Sequence, residues 1–309
     1  MKAASARDQV IDDVYPSRVA DRPRLLSRAD PVVYGEPPAG GPLTADQLAS
    51  YAASGFLAMP ALFGPDEIQR LDRELLEWCG SPEVRDLEEA ITEPGSRAVR
   101  SVFRVHQLHP LVGRLARDPR LLDAARQILG GDVYMHQSRV NLKPGFTGKE
   151  FYWHSDFETW HVEDGMPRMR ALSVSVALTE NYAFNGPLLL IPRSHEVYVS
   201  CVGATPDDHY KHSLKKQEYG VPDDASLQTL ADRGGIAAQL GPPGTAVFFD
   251  CNTMHGSNSN ISPYPRRNVF CVYNSIENCI QEPFCGLTPR PEHIASRRSV
   301  QPLVPLAAR

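Results

Sequence analysis

Two short segments of the sequence carry side chains that together could bind a metal ion. One is Trp153-His154-Ser155-Asp156, and the other is Thr253-Met254-His255-Gly256-Ser257, far downstream. On a strand, His154 and Asp156 would project from the same face, because successive side chains alternate. A neighbouring strand could bring His255 to the same point. Two imidazoles and one carboxylate on one side of an ion leave its other positions open, which is the facial arrangement of non-haem Fe(II) oxygenases.

The spacing of these ligands is not decisive alone, because a His-x-Asp triplet also occurs by chance in many chains. Arg266 adds weight: it follows His255 by eleven residues, just before a predicted strand, where its guanidinium could form two hydrogen bonds with a carboxylate. The alternative is a solvent-exposed cation, since Pro265-Arg266-Arg267-Asn268 has the composition of a turn. The residues alone leave open both an oxygenase and a metal-binding barrel without oxygenase activity.

The segment from Val133 to Lys143 alternates with a period of two, as expected for a strand. Its odd positions form one face, which ends in four polar or cationic side chains: Gln137, Arg139, Asn141 and Lys143. Its even positions form the other face, with His136 and Ser138 among them. At a solvated sheet edge the polar face would be ordinary, whereas inside a barrel it would form the wall of a ligand site.

Helix signals precede this strand. Thr44 and Gln47 have the spacing of a capping box at the start of one helix, and Pro65 suits the first position of a second. A third helix is predicted from Pro119 to Leu129, ending at Gly130-Gly131.

Further short apolar segments, each bounded by Gly, Pro or Asn, predict strands. They are Leu172–Leu178, Pro187–Ile191, Thr245–Phe249 and Val269–Ser275. Helices followed by many short strands with long connections predict an α+β fold, in which a double-stranded β-helix (jelly-roll or cupin-like) core carries an N-terminal helical layer.

Residues 1–43 are polar and are interrupted by prolines and glycines, so we expect a loosely ordered N-terminal arm. Residues 44–309 are expected to form a single domain. Within it, the polar, Gly- and Asp-rich residues 201–239 indicate an insertion that could close over the site as a lid. The proline-rich tail from Glu282 is expected to wrap around the surface.

The composition excludes several classes of protein. The chain has 309 residues, of which 42% are hydrophobic and 22% charged, within the usual range of globular proteins. A net charge of −5 without a basic run argues against binding to nucleic acid or to an anionic membrane. No apolar run has the length of a membrane span, and residues 1–14 lack the apolar core of a signal peptide. The 6 cysteines have no paired spacing, which favours free thiols in a cytoplasmic enzyme.

The His-x-Asp pair, His255 and Arg266 together resemble the phytanoyl-CoA hydroxylase-like family of Fe(II)/2-oxoglutarate dioxygenases, as does the stretch from Leu43 to Pro60. Within that family, the segment FYWHSDFETWHVEDGMP (residues 151–167) is similar to the signature of the ectoine hydroxylases. The segment is specific because it has tryptophan and histidine at fixed offsets. The resemblance covers residues from about 40 to about 300.

The resemblance implies a role for each matched residue. His154, Asp156 and His255 would be the iron ligands; related halogenases have a small residue at the aspartate position, so a carboxylate there implies hydroxylation. The 2-oxoglutarate site would comprise Lys143, Asn141, Ser257 and Arg266, with the last two binding the distal carboxylate. Contacts to ectoine, a small cyclic amidine with a carboxylate, would come from Gln137, Arg139, Thr159, Trp160 and Phe270.

The implied reaction converts ectoine to 5-hydroxyectoine with Fe(II), 2-oxoglutarate and O₂, and releases succinate and CO₂. It would contribute to the synthesis of a compatible solute under osmotic stress, and the family resemblance suggests a homodimer. A sibling dioxygenase acting on another small amino-acid-like or acyl substrate is the first alternative. A barrel that binds metal without oxygenase activity is the second, although it would not need the cations Arg266 and Lys143. The acidic residues Glu158, Glu163 and Asp164 are expected to support the metal motif without reacting themselves.

Overall fold

The computed structural model describes residues 13–35, 41–92, 98–206, 219–298 and 300–307. Six of its helices precede the long central strand and form one layer. They are α1 (Ala45–Ser54), α2 (Pro65–Gly80), α3 (Pro82–Arg85), α4 (Val105–Leu108), α5 (Pro110–Leu115) and α6 (Pro119–Leu129). Two more, α7 (Asp156–Thr159) and α8 (Asp224–Gly234), lie within the second half of the chain.

The helix boundaries follow from the local signals in the sequence. The Thr44 side chain accepts a hydrogen bond from the Gln47 amide, and the Gln47 side chain accepts one from the Thr44 amide, which completes the predicted capping box of α1. Pro65 begins α2 as predicted. Helix α6 ends at Gly130, whose φ of 70° is the left-handed conformation that favours glycine.

Thirteen strands are present in the described residues. They are β1 (Arg24–Ser27), β2 (Phe56–Met59), β3 (Ala90–Thr92), β4 (Val99–Phe103), β5 (Val133–Lys143), β6 (Phe151–His154), β7 (Ala171–Ala177), β8 (Leu189–Leu190), β9 (Val197–Ser200), β10 (Ala237–Ala238), β11 (Ala246–Asp250), β12 (His255–Ser257) and β13 (Arg266–Ser275). A seven-stranded sheet has the order β2-β11-β7-β13-β5-β4-β3, and a four-stranded sheet has the order β10-β8-β12-β6. All the strand pairs of both sheets are antiparallel.

The seven-stranded sheet has an apolar outer face and a polar inner face. Its outer face packs against the helical layer in the largest hydrophobic cluster, which includes Ile68 and Leu121 from the helices and Val140 and Val269 from the strands. Its inner face faces the four-stranded sheet, which carries both histidines of the predicted metal site. This arrangement of two antiparallel sheets under a helical layer confirms the predicted α+β fold with a double-stranded β-helix core.

A β-bulge in β5 corrects the predicted alternation of that strand. Val272 of β13 is paired with Gln137, but Tyr273 is paired with Met135, so His136 is an extra residue. The bulge reverses the two faces: Val133 and Met135 join the helix-side core, whereas the odd positions after the bulge line the inner face. The prediction that all odd positions from Val133 to Lys143 share a face is therefore wrong before the bulge and correct after it.

Residues 13–35 of the N-terminal arm differ from the expectation of loose order, whereas residues 1–12 and 36–40 lie outside the described residues. Within residues 13–35, β1 pairs with β9, and Tyr15 is fully buried. The segment is ordered because its hydrogen bonds and buried aromatic ring come from partners far along the chain, which local composition does not reveal. The proline-rich tail lies along the domain as predicted, with backbone hydrogen bonds from Ser296 to His136 and from Leu303 to Val133.

The structure describes residues 201–206 and 219–239 of the predicted insertion. Its second half contains α8 and β10, neither of which was predicted. Residues 207–218 lie outside the described residues, and the lid hypothesis with them. Among the described helices, none combines the length and hydropathy of a membrane-crossing segment.

Candidate active site

The three predicted metal ligands lie together between the two sheets. His154 is the last residue of β6 and is directly paired with His255, the first residue of β12. Asp156 begins α7, so the chain turns from strand to helix between the first two ligands. One potential ligand atom from each of the three residues lies within 4.8 Å of the others. Asp156 Oδ1 is 3.7 Å from His154 Nε2 and 3.9 Å from His255 Nε2.

Hydrogen bonds fix the orientation of both imidazoles. His154 Nδ1 is 2.8 Å from the Tyr152 carbonyl oxygen, and His255 Nδ1 is 3.0 Å from the Thr253 carbonyl oxygen. A carbonyl only accepts, so each Nδ1 carries the proton and each Nε2 keeps its lone pair toward Asp156. Within the part of the chain that the structure describes, His255 Nε2 is buried and has no hydrogen-bond partner, as expected of an atom that binds a metal.

The protonation states of the three residues suit a divalent ion. Burial lowers the pKa of His154 to about 3 and also lowers that of His255, so both rings are neutral at pH 7. Burial alone would raise the pKa of Asp156, but His255, His154 and Arg139 hold it below its usual value. Two neutral imidazoles and a carboxylate match the ligand set of a non-haem Fe(II) site. The Ser173 hydroxyl donates to Asp156 Oδ2 at 3.0 Å and so orients the carboxylate.

A cavity of about 610 Å³, including its open mouth, begins at the two histidines. All four residues predicted to bind 2-oxoglutarate line it: Asn141, Lys143, Ser257 and Arg266. Two residues predicted to bind ectoine, Arg139 and Phe270, line it as well. The lining also includes residues that were not predicted from the sequence, among them Arg100, Lys149 and Phe151. Arg100 is on β4, which lies next to β5 in the sheet. Because no local sequence pattern indicates that these two strands pair, the position of Arg100 in the cavity could not be predicted.

Adjacent strands bring the predicted 2-oxoglutarate residues together. Arg266 of β13 is directly paired with Lys143 of β5, and Asn268 with Asn141. Lys143 Nζ donates a hydrogen bond of 2.9 Å to Ser257 Oγ. Burial, with Arg266 and Arg100 nearby, lowers the pKa of Lys143 to about 6, and burial with Arg139 lowers that of Arg266 to about 10. Buried cations that destabilise one another in this way favour an anionic ligand.

Arg139 lies close enough to the predicted ligand Asp156 for their charges to interact. Its guanidinium is 4.9 Å from the centre of the Phe270 ring, and the two residues are paired between β5 and β13. Burial lowers its pKa, although Asp156 partly offsets this effect. In the described residues its buried Nε has no hydrogen-bond partner. The cavity therefore has, besides Lys143 and Arg266, a further cation that is available to a carboxylate.

The other three predicted substrate residues are not among those that line this cavity. Gln137 is on the same strand face as Arg139, but its amide donates to the Ile294 carbonyl at 2.8 Å. Trp160 is buried, with its ring 5.2 Å from that of His136. Thr159 is buried in α7, three residues after Asp156. Their assignment to the substrate stays a prediction.

The acidic residues that follow Asp156 are paired with arginines from both ends of the chain. Arg18 contacts Glu158 and Glu163, both at 2.7 Å. Arg290 forms two hydrogen bonds with the Asp164 carboxylate, of 2.7 and 2.5 Å. All of these side chains are buried or nearly so, which agrees with a supporting role.

Comparison with known proteins agrees with this geometry. Residues 51–268 match the family model described as phytanoyl-CoA dioxygenase (PhyH). The ectoine dioxygenase of Bordetella parapertussis is 62% identical over 294 residues, covering 95% of this chain and 96% of the relative. That of Halomonas elongata is 50% identical over 285 residues, covering 92% of this chain and 86% of the relative.

Solved structures extend the comparison to the fold. The crystal structure of EctD from S. alaskensis with 2-oxoglutarate and 5-hydroxyectoine has a TM-score of 0.87 and 47% identity, covering 95% of this chain and 98% of that chain. The same protein with bound Fe has a TM-score of 0.86 and 46% identity, covering 95% of this chain and 98% of that chain. The predicted metal ligands of this chain and its cation-lined cavity are consistent with these relatives. The chain therefore belongs to the phytanoyl-CoA dioxygenase family and, within it, to the ectoine dioxygenases.

Proposed function

We propose that this protein hydroxylates ectoine to 5-hydroxyectoine, using Fe(II), 2-oxoglutarate and O₂ and releasing succinate and CO₂. The observation that carries the proposal is the position of the His154, Asp156 and His255 ligand atoms at the end of a cavity that is lined by Lys143, Arg266 and Arg139. Lys143 and Arg266 suit the dianionic co-substrate, and Arg139 suits the carboxylate of a small zwitterion.

The residues divide the chemistry between them. When bound, Fe(II) with 2-oxoglutarate would activate O₂, the oxidant that breaks a C–H bond of the substrate and converts 2-oxoglutarate to succinate and CO₂. His154, Asp156 and His255 would hold the ion, with two imidazole nitrogens and one carboxylate oxygen as its protein ligands. Arg266 and Ser257 would bind the distal carboxylate of 2-oxoglutarate, and Lys143 and Asn141 would contribute from one face of β5.

Ectoine would occupy the part of the site nearest to Arg139. The Arg139 guanidinium pairs with the ectoine carboxylate, and the Phe270 ring beside it provides an apolar wall. We assign Gln137, Thr159 and Trp160 to the remaining contacts, with the Trp160 ring facing the delocalised amidinium. This assignment requires the Gln137 side chain to exchange its hydrogen bond with Ile294 for one with the substrate.

The direct test is anaerobic reconstitution with Fe(II), followed by incubation with 2-oxoglutarate, O₂ and ectoine. We expect ectoine to gain one oxygen atom and succinate to form in equal amount, both measured by mass spectrometry. Succinate without oxygenated ectoine would retain the dioxygenase and point to a sibling substrate. Bound iron without any turnover of 2-oxoglutarate would favour the barrel without oxygenase activity.

Replacing Asp156 by alanine tests the ligand assignment. The variant loses one of three ligands, so we expect hydroxylation to fall below detection and Fe(II) affinity to fall by a factor of at least about 10 to 100. Ser173→Ala is the matched comparison, because it removes only the hydrogen bond to Asp156 and should weaken binding less. An Asp156→Ala variant with wild-type turnover would exclude Asp156 as a ligand.

We also propose an oligomeric state and a cellular location for the protein. We infer a homodimer, which light scattering of the purified protein would check. We also infer a reducing, cytoplasmic location, since all 6 cysteines, each in the described part of the chain, are free thiols. Fractionation of the cells that produce the protein would test this location.

A further inference from the structure

The helical segment that begins with Asp156 has an unusual geometry. Helix α7 continues directly into a π-helical turn, Trp160–Asp164, and we call residues 156–164 the ligand helix. It carries a metal ligand at its start, and Thr159 and Trp160 at its centre. π-Helical turns are rare and concentrate at functional sites. A segment that carries a ligand but departs from regular helix geometry needs external support to hold one conformation.

That support comes from the N-terminal end of the described chain. The Arg18 guanidinium donates to both carboxylate oxygens of Glu158, at 3.0 and 2.7 Å, and to Glu163 at 2.7 Å. Ser17 Oγ adds a hydrogen bond of 2.7 Å to Glu158. The side chains of Arg18 and Glu158 are each only 2% exposed. Four directional contacts therefore join residues 17 and 18 to the ligand helix, away from water.

Asp13 and Tyr15, close to Arg18 in the chain, also contact the ligand helix. Asp13 Oδ1 is 2.8 Å from His161 Nε2, and the Tyr15 ring packs edge-on against Phe157 with centroids 5.3 Å apart. Arg18 is itself held in place by its backbone amide, which donates to the Cys201 carbonyl at 2.8 Å. Residues 13–18 thus contact the ligand helix at several points along its length, and we call them the N-terminal latch.

Stability alone does not explain this ionic network. Ion pairs this deeply buried add little stability over apolar packing, because removing the charges from water offsets their attraction. Arg18 also has a φ of 60°, a left-handed conformation that costs free energy in a residue with a side chain. What the guanidinium does provide is geometry, because its planar fork fixes both the distance and the angle of the carboxylate it binds.

We propose that Arg18 is a positioning residue of the hydroxylation site: through Glu158 and Glu163 it fixes the ligand helix, so that Asp156 faces the metal and Thr159 and Trp160 face the substrate. The inference rests on the proposed function for its substrate readout only. Its metal readout concerns the ligand Asp156 and is independent of which substrate is used.

The test compares Arg18→Met and Arg18→Lys with the wild type. In Arg18→Met we expect kcat/KM for ectoine to fall about 100-fold, the effect of misplacing a reacting group by about 1 Å. Succinate should form in excess over 5-hydroxyectoine, because 2-oxoglutarate turnover no longer depends on a well-placed substrate. Arg18→Lys keeps the charge but not the two parallel hydrogen bonds, so it should restore coupling only in part.

Arg28→Met is the matched control. Arg28 lies in the same N-terminal region and forms an equally buried ion pair, 2.7 Å from Asp250, with side chains 4% and 2% exposed. It has no direct contact with the ligand helix among the described contacts. We expect it to lower the melting temperature as much as Arg18→Met does while succinate and product remain equal.

Gly220→Ala provides a second route to the same network without removing a charged group. A Cβ on Gly220 would lie 2.2 Å from Glu158 Oε2 and 2.5 Å from Arg18 Nη2, at a φ of 68°. We expect this variant to uncouple the reaction in the same direction as Arg18→Met. It also keeps the inference testable if Arg18→Met does not fold.

The anaerobic affinity for Fe(II), followed by the charge-transfer absorbance of the Fe(II)–2-oxoglutarate complex, is the readout that does not depend on activity. It should weaken in Arg18→Met and Gly220→Ala relative to Arg28→Met. Equal affinity in all three, with succinate and product in balance, would reduce Arg18 to a structural role. If the wild type does not hydroxylate ectoine, the proposed function fails, and this affinity comparison still decides the role of Arg18.

Discussion

At the scale of single residues, the charge state of Lys143 links 2-oxoglutarate binding to pH. Its pKa of about 6, set by burial and then by Arg266 and Arg100, makes its amine largely neutral at pH 7.5 before an anion binds. A dianion beside it stabilises the ammonium form and raises the pKa. Binding should therefore take up as much as one proton, and affinity should decrease as the pH rises above about 6.

Calorimetry of Mn(II)-loaded protein, in two buffers of different ionisation enthalpy, measures this proton uptake. Lys143→Met should bind 2-oxoglutarate more weakly and without uptake, since it has no titrating group at that position. Asn141→Ala is the control, because it should weaken binding but keep the uptake. A wild type that binds without taking up a proton would contradict the assigned protonation of Lys143.

Some residues of the site could be predicted from the sequence, and others could not. His154, Asp156, His255 and Arg266 were predictable because their types and spacing are rare in combination. The free Nε2 of each histidine was not, because the carbonyls that fix the rings depend on the local backbone conformation. Arg18 and Arg290 were not predictable either, since each is far in sequence from the carboxylate it binds.

At the scale of secondary-structure elements, the capping box of α1 provides a prediction that separates stability from activity. Thr44→Ala removes the hydrogen bond to the Gln47 amide and should lower the free energy of unfolding by about 1 kcal/mol. Helix α1 packs on the outer face of the seven-stranded sheet, so kcat and KM should not change. Urea unfolding and steady-state kinetics measure the two effects.

Thr44→Ser is the control for that prediction, because serine retains the capping hydroxyl and should keep nearly all of the stability. A loss of activity in Thr44→Ala at a temperature where the variant is fully folded would show that the helical layer influences the site. Equal stability of all three proteins would mean that the capping box is not formed in solution.

The bulge in β5 could not be predicted from the alternation of apolar and polar residues along the strand. A strict period of two assigns Val133 and Gln137 to one face, but the extra residue His136 places them on opposite faces. Its consequence is local: Val133 and Met135 before the bulge complete the helix-side core, and Arg139, Asn141 and Lys143 after it line the cavity.

At the scale of the whole molecule, buried neutral histidines make the fold sensitive to acid. Burial, with a smaller effect of Arg104, lowers the pKa of His106 to about 4, whereas the unfolded value is about 6.5. Between these values the unfolded chain binds a proton that the folded chain excludes, so stability falls as the pH falls from 6.5 to 4. The contribution of one histidine is at most about 1.4 kcal/mol per pH unit.

Urea unfolding of the metal-free protein between pH 7 and pH 5 tests this sensitivity. His106→Asn should reduce the dependence of stability on pH by close to one proton, while retaining a polar group beside Ser138. His293→Asn is the comparison, because burial lowers the pKa of His293 while the neighbouring carboxylates Glu88 and Glu89 oppose that effect, so this residue should contribute less to the pH dependence. An unchanged pH dependence in His106→Asn would show that His106 is already protonated in the folded state.

The sequence by itself determined the ligand triad, the cation that follows it, the starts of α1 and α2, both ends of α6 and the class of fold. All of these depend on interactions between near neighbours in the chain or on a rare combination of residue types. Only the tertiary structure decided which side chains share the cavity, where β5 reverses its faces, and that Arg18 and Arg290 hold the ligand helix from both ends of the chain. These features arise from strand register and from packing between segments that are distant in the sequence. The contacts that stabilise them therefore cannot be predicted from any local sequence pattern.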